Sequence, residues 1–132
     1  MTTEKLKNWI KTLDADFADC IQLGGVNGNA PKFLGVYPSN LNGRQHIALG
    51  GIACTSYNTM IARLLLRWGH SQPAAEKKAW SLWGLFYGHT NFDMDGAKVC
   101  FVDPGTGPVP IGKGPDGVFE YIINLNITYM KE

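Results

Sequence analysis

Charge imbalance is missing from this sequence: 12 Lys and Arg stand against 11 Asp and Glu, a net charge of +1 over 132 residues. A chain so nearly neutral carries no electrostatic footprint for nucleic acid or an anionic membrane, and neither is expected as a partner. It also has little colloidal repulsion, so self-association is physically easy. Cysteine is scarce as well. Cys20, Cys54 and Cys100 are odd in number and none lies in a C-x-x-C. Neither a disulfide framework nor a zinc finger or ribbon fits that spacing, and free thiols in a reducing, cytosolic setting are expected. No apolar run approaches the about 20 residues needed to span a bilayer. The opening Met-Thr-Thr-Glu-Lys-Leu-Lys lacks the apolar centre of a signal peptide. Charged residues make up only 17% and hydrophobic ones 45%, which excludes disorder and predicts one domain, residues 1–132.

Periodicity supplies the elements. Leu6, Trp9, Ile10, Leu13, Phe17, Cys20 and Ile21 recur at spacings of three and four, predicting an amphipathic helix over 3–22. Thr2 or Thr3 would cap it, and Gly24-Gly25 would stop it. Residues 33–37 and 45–49 read as short strands. Residues 57–68 fit both periods, strand or helix, and are assigned as strand. Ser71 is an N-cap candidate with Pro73 in the first turn; Ala75, Ala79, Leu82, Trp83 and Phe86 follow as an apolar face, with Gly88 as the stop. Residues 98–102 read as a strand, and a Gly/Pro-rich stretch runs over 104–117. Phe119, Tyr121, Ile123, Leu125, Ile127 and Tyr129 alternate with largely polar residues, the clearest strand pattern in the chain. This order predicts an α+β fold: a mainly antiparallel sheet with two amphipathic helices packed on one face. The expected core joins Leu6, Ile10, Leu13 and Phe17 with Ala79, Leu82, Trp83 and Phe86 over Tyr121, Ile123, Leu125 and Ile127.

Chemical motifs are weak. Gly112-Lys-Gly-Pro-Asp-Gly117 fits G-x-G-x-x-G, but it leads into a strand rather than opening a helix, so turn chemistry is expected and not a phosphate cradle. Asn91-Phe-Asp-Met-Asp-Gly96 resembles the start of a calcium loop. The bidentate Glu that closes such a loop would fall at Val102, so a polar turn before a strand is the reading. His46, His70 and His89 accompany no local nucleophile signature. Asp93/Asp95 and Asp103/Asp116 sit where turns ask for Asp. Arg44, Arg63, Arg67 and Lys113 are too dispersed for a basic stripe. No catalytic residue, metal or cofactor is expected.

A softer pattern spans nearly the whole chain. The strand Ile61-Ala-Arg-Leu-Leu-Leu-Arg67 carries alternating Arg and leads to a Pro-started helix with spaced alanines, Pro73-Ala-Ala to Ala79. A Gly/Pro loop then introduces a strand centred on Asn124-Leu-Asn-Ile. The N-terminal amphipathic helix, the short strand over 33–38 and the glycines at 50–51 fall in the same order. In these features the chain resembles the small minor capsid or tail-terminator proteins of long-tailed bacteriophages and prophages, which belong to a wider set of α+β head–tail connection proteins. That resemblance implies a structural, non-enzymatic role in virion assembly: a ring, six-fold in this class, that caps the tail tube and meets the head connector. The protein would then be found in virions and, during assembly, in the host cytoplasm. The alternatives are another head–tail joining or completion protein, or a small hydrolase or ligand-binding enzyme with a site assembled from distant residues. For a ring, the expected contacts lie along the sheet edges and on loops 41–52 and 104–117, with Leu41, Arg44, Ile47, Val109, Ile111 and Lys113 as candidate interface residues.

Overall fold

The Thr2 hydroxyl accepts a hydrogen bond from the backbone N–H of Lys5 at 3.3 Å and starts helix α1 (Thr3–Leu13) in the computed structural model. The structure describes residues 2–17, 20–23, 32–38, 57–114 and 117–130. The helix ends nine residues earlier than its apolar stripe predicts. Asp14 turns the backbone out to an extended conformation, and a short 3-10 turn (Ala15–Phe17) follows. Leu13 is left 45% exposed, whereas Leu6, Ile10 and Phe17 are fully buried. Ile21, read as helical, instead opens strand β1 (Ile21–Leu23).

Strand β2 (Lys32–Pro38) lies beside it in parallel. The predicted strand over 45–49 lies outside the described residues. Residues 57–68 resolve their ambiguity as strand β3 (Tyr57–Trp68), which is held between two neighbours. Helix α2 (Gln72–Phe86) follows, with Pro73 in its first turn and Gly88 at φ +81° past its end. Ser71 holds the cap position without a side-chain cap bond. Strands β4 (Thr90–Met94) and β5 (Ala97–Asp103) form a hairpin whose Asp95-Gly96 turn has the two positive φ values a tight hairpin needs. Within the Gly/Pro-rich stretch the chain makes strand β6 (Val109–Lys113), and strand β7 (Phe119–Met130) closes the order. Neither β4 nor β6 is visible in the sequence pattern.

The sheet runs β1-β2-β3-β7-β5-β4, and β6 adds to β7. Every described pairing but β1–β2 is antiparallel, as the α+β reading expects. Strand β7 is the axis. Strand β3 covers one side along nearly its whole length, while on the other side β6 takes residues 119–122 and β5 takes residues 126–129.

Alternation decides the two faces. Leu34 and Val36, Ala62, Leu64 and Leu66, and Tyr121, Ile123, Leu125 and Ile127 are buried together with Leu6, Ile10 and Phe17 of the N-terminal segment and Ala75, Ala79, Leu82 and Phe86 of α2. The predicted core is therefore present, save for Leu13 and for Trp83, which packs at its margin. Trp9 joins its parts, its ring 5.3 Å from Phe86 and 5.0 Å from Phe92. On the opposite, open face the alternating arginines meet polar partners across β7. Arg63 donates to Asn124 at 3.2 Å, and the largely buried Arg67 stands 3.4 Å from Glu120. Gly35 faces the same side, where the rings of Tyr37 and Phe33 lie 2.7 and 3.1 Å from where a Cβ would sit. Those two rings take the space a side chain would fill.

Candidate assembly interface

Strand β6 is the most exposed element of the sheet. All five of its residues face solvent, with Val109 at 53% and Ile111 at 51%. Among the described residues no strand covers its outer edge, and an apolar edge of this kind is a template for another chain. Its position is set by the excursion before it. Asp103 accepts the N–H of Gly105 at 3.0 Å, and the Trp83 indole N–H donates to the Pro104 carbonyl at 3.2 Å. Gly107, at φ +151°, lets the backbone lie against Trp80, whose ring is 2.6 Å from where a Cβ would stand. Past β6 the chain turns at once into β7: Gly114 N–H donates to the Val118 carbonyl at 2.9 Å, and Gly117 N–H to that of Gly114 at 2.9 Å. Gly112 and Lys113 thus end β6 and Gly117 precedes β7, while Pro115 and Asp116 lie outside the described residues.

Of the six candidate interface residues, Val109, Ile111 and Lys113 come together on this one edge. Leu41, Arg44 and Ile47 lie outside the described residues. Sequence reasoning missed the rest of the exposed apolar surface, which falls into three groups. Trp80 (46%) and Tyr87 (66%) stand beside the excursion into β6, with Trp83 between them at ring distances of 5.4 and 4.7 Å. Leu13 (45%) and Leu23 (43%) mark the far side of the sheet, at the end of α1 and on β1. Tyr57, directly opposite Met130, and Phe101, opposite Thr128, cluster at one end of the strands on the open face. The signal for the first group was partly legible: Trp80 and Tyr87 sit off the stripe that buries Ala75, Ala79, Leu82 and Phe86, whereas Trp83 was read as part of it.

Polar groups near these surfaces are structural. Lys78 of α2 reaches Asp14 at 2.7 Å and Asp16 at 2.9 Å, and its ammonium stands 4.6 Å from the Phe17 ring centre and 5.0 Å from that of Trp68. Burial by itself would lower the Lys78 pKa, but the two carboxylates outweigh it and hold it above the ordinary value; the same contact holds Asp16 below its own. This cluster staples the turn after α1 to α2 and to the end of β3. Burial pushes the Tyr121 hydroxyl up, with the Glu76 carboxylate adding to it. A shallow depression of about 460 Å³ opens beside the cluster, lined by Lys32, Trp68 and Lys77 among others. A second, about 300 Å³, lies along the β4–β5 hairpin next to Met130. Both open to the surface.

The remaining sequence candidates sit in ordinary surroundings. Asp95 accepts from the Asn8 amide at 2.9 Å, so the Asn91–Gly96 run ties the hairpin to α1. His89 lies edge-on to Trp9, ring centres 5.8 Å apart. Cys20 and Cys100 are half-buried thiols, and that of Cys20 donates to the Asp16 carbonyl at 3.3 Å; Cys54 and His46 lie outside the described residues. Among the described residues no three His, Cys, Asp or Glu side chains gather as a metal site.

Comparison with known proteins bears on the fold. No family model matches the chain, and no curated protein matches it. One solved chain that carries no functional name superposes with a TM-score of 0.53, over 100% of this chain and 97% of its own, at 15% identity. The likeness is one of fold, and it spans the whole chain.

Proposed function

We propose that this chain is a ring-forming structural protein of phage or prophage assembly, a tail terminator that caps the tail tube and joins it to the head connector. The observation that carries the reading is the sorting of exposed apolar side chains to opposite flanks of one sheet: Trp80, Val109 and Ile111 on the β6 side, Leu13 and Leu23 on the β1 side. A monomer gains nothing by displaying two such patches. A head-to-tail contact between copies uses two different patches on each subunit and closes into a ring when the rotation divides a full turn. The third exposed group, Phe101 and Met130 at the strand ends, then faces an axial partner, the tube on one side or the connector on the other. Six subunits is the number the family resemblance implies. Such a ring works by shape and requires no nucleophile.

The test places one charge on each flank. Ile111→Asp and Leu23→Asp alter exposed positions, so both variants should keep the parent circular dichroism spectrum. Each should fail to form rings on purified tail tubes in electron micrographs. Mixed, the two retain one good flank apiece and should yield pairs that cannot close. If both variants cap tubes at normal length, the flanks are not the interface and the terminator reading fails.

A further inference from the structure

We propose that neighbouring copies join by antiparallel pairing of β6 of one subunit with β1 of the next, so that the sheet continues across the interface. The proposal rests on the ring reading and specifies how that ring is built. Among the described residues, β1 has β2 as its one strand neighbour and β6 has β7, so these two strands present opposite free edges of the sheet.

Polarity comes first. Strand β1 runs parallel to β2, and three antiparallel steps, β2 to β3, β3 to β7 and β7 to β6, lead to the other edge. Three reversals leave β6 running opposite to β1. Rotation about an axis along the strands preserves strand direction in every copy. The edges of neighbours therefore meet antiparallel, the slightly more stable form of pairing per residue.

Level comes next. Val109 is opposite Ile122, Ile122 opposite Leu65, Leu65 opposite Gly35, and Gly35 opposite Gln22. Val109 and Gln22 are thus the two ends of one row across the sheet. A rotation without rise keeps that row level and brings Val109 of one copy to Gln22 of the next, both on the open face. Antiparallel pairing from that point sets Ile21 against Pro110 and Leu23 against Pro108. The Leu23 side chain, 43% exposed in the single chain, then gains an apolar neighbour.

The joint is short by construction. Strand β1 offers three residues, and β6 carries Pro110, which has no N–H, and an irregularity between Pro110 and Gly112. These features, with Lys113, guard a lone subunit against indiscriminate edge pairing. They also make a single joint weak, so closure on a tube end is favoured over growth of open chains.

Paired cysteines read the contact directly. In a Cys20→Ser, Cys54→Ser, Cys100→Ser background, Gln22→Cys and Val109→Cys place thiols at the two ends of the row. Within one subunit they are four strand steps apart, about 19 Å at about 4.8 Å per step, whereas a disulfide needs Cα atoms within about 7 Å. Any bond formed joins two copies. On tail tubes, oxidation should give a non-reducing ladder that ends at the ring number, and Gln22→Cys with Lys113→Cys, displaced along β6, should give none. Amide exchange of the unmodified protein should slow in both 21–23 and 109–113 on capping. Capped tubes with no ladder and no slowed exchange, or a ladder equally strong in the displaced pair, overturn the strand pairing while leaving the ring. A chain that never caps tubes overturns both.

Discussion

Truncating Leu125 to alanine measures how far the sheet and helices form one core. Leu125 is fully buried in the middle of β7, opposite Ala62 of β3. The substitution removes three carbon groups at about 0.8 kcal/mol each, about 2.4 kcal/mol of transfer free energy. A cavity term adds to this where the surroundings cannot collapse, and measured Leu→Ala losses reach about 5 kcal/mol. Here collapse is difficult. Ala62 has no side chain long enough to fill the space, and β7 is held by β3 on one side and by β5 and β6 on the other. The expected loss is about 3–5 kcal/mol, read as a lower midpoint in urea unfolding with an unchanged slope. Asn126→Ala, at an exposed position one residue on, should stay within about 0.5 kcal/mol. A loss below about 0.5 kcal/mol at Leu125 would place that face of β7 in solvent and refute the packing.

Two other outcomes test the helices. Gly84 is exposed inside α2 with open space where a Cβ would stand, so Gly84→Ala should raise stability by about 0.4–1 kcal/mol through helix propensity; an unchanged or lower urea midpoint would contradict that. Asp16 is held below its ordinary value of 3.8, so its share of stability is present above that pH and is lost as pH falls through the depressed value. Lys78 is held above its ordinary 10.5, so its share is complete below that pH and is lost as pH rises through the raised value. Lys78→Met should flatten both limbs of the stability–pH curve, and a variant that keeps both limbs would rule out the cluster as their source.

How much was legible depended on how far each segment relies on its own pattern. Strand β7 was readable from alternation, because one face lies in the core and the other carries polar groups such as Asn124 and Glu120, which meet Arg63 and Arg67. Helix α2 was readable from Pro73, the spaced alanines and Gly88. Residues 57–68 carried both periods, since a strand held between two neighbours can be apolar on both faces; Leu65 and Leu66 illustrate this. The helix over 3–22 was overrun because Cys20 and Ile21 continue the stripe by accident. The break comes from Asp14 and Asp16, whose carboxylates are drawn to a lysine 62 to 64 residues away. Strand β6 was hidden by glycine and proline, which ordinarily mark loops.

Sequence alone determined the fold class and the part of the core that α2 and β7 supply, save Trp83, because periodicity and turn residues act locally and read the same in any context. It also marked Val109, Ile111 and Lys113. Tertiary structure decided the rest: that these three share a free edge, that Leu13 and Leu23 are exposed on the opposite flank, and that Gln22 and Val109 end the same row. An edge strand takes its conformation from its partner and its exposure from what does not cover it. Neither is a property of the segment, so no reading of residues in order could have supplied them.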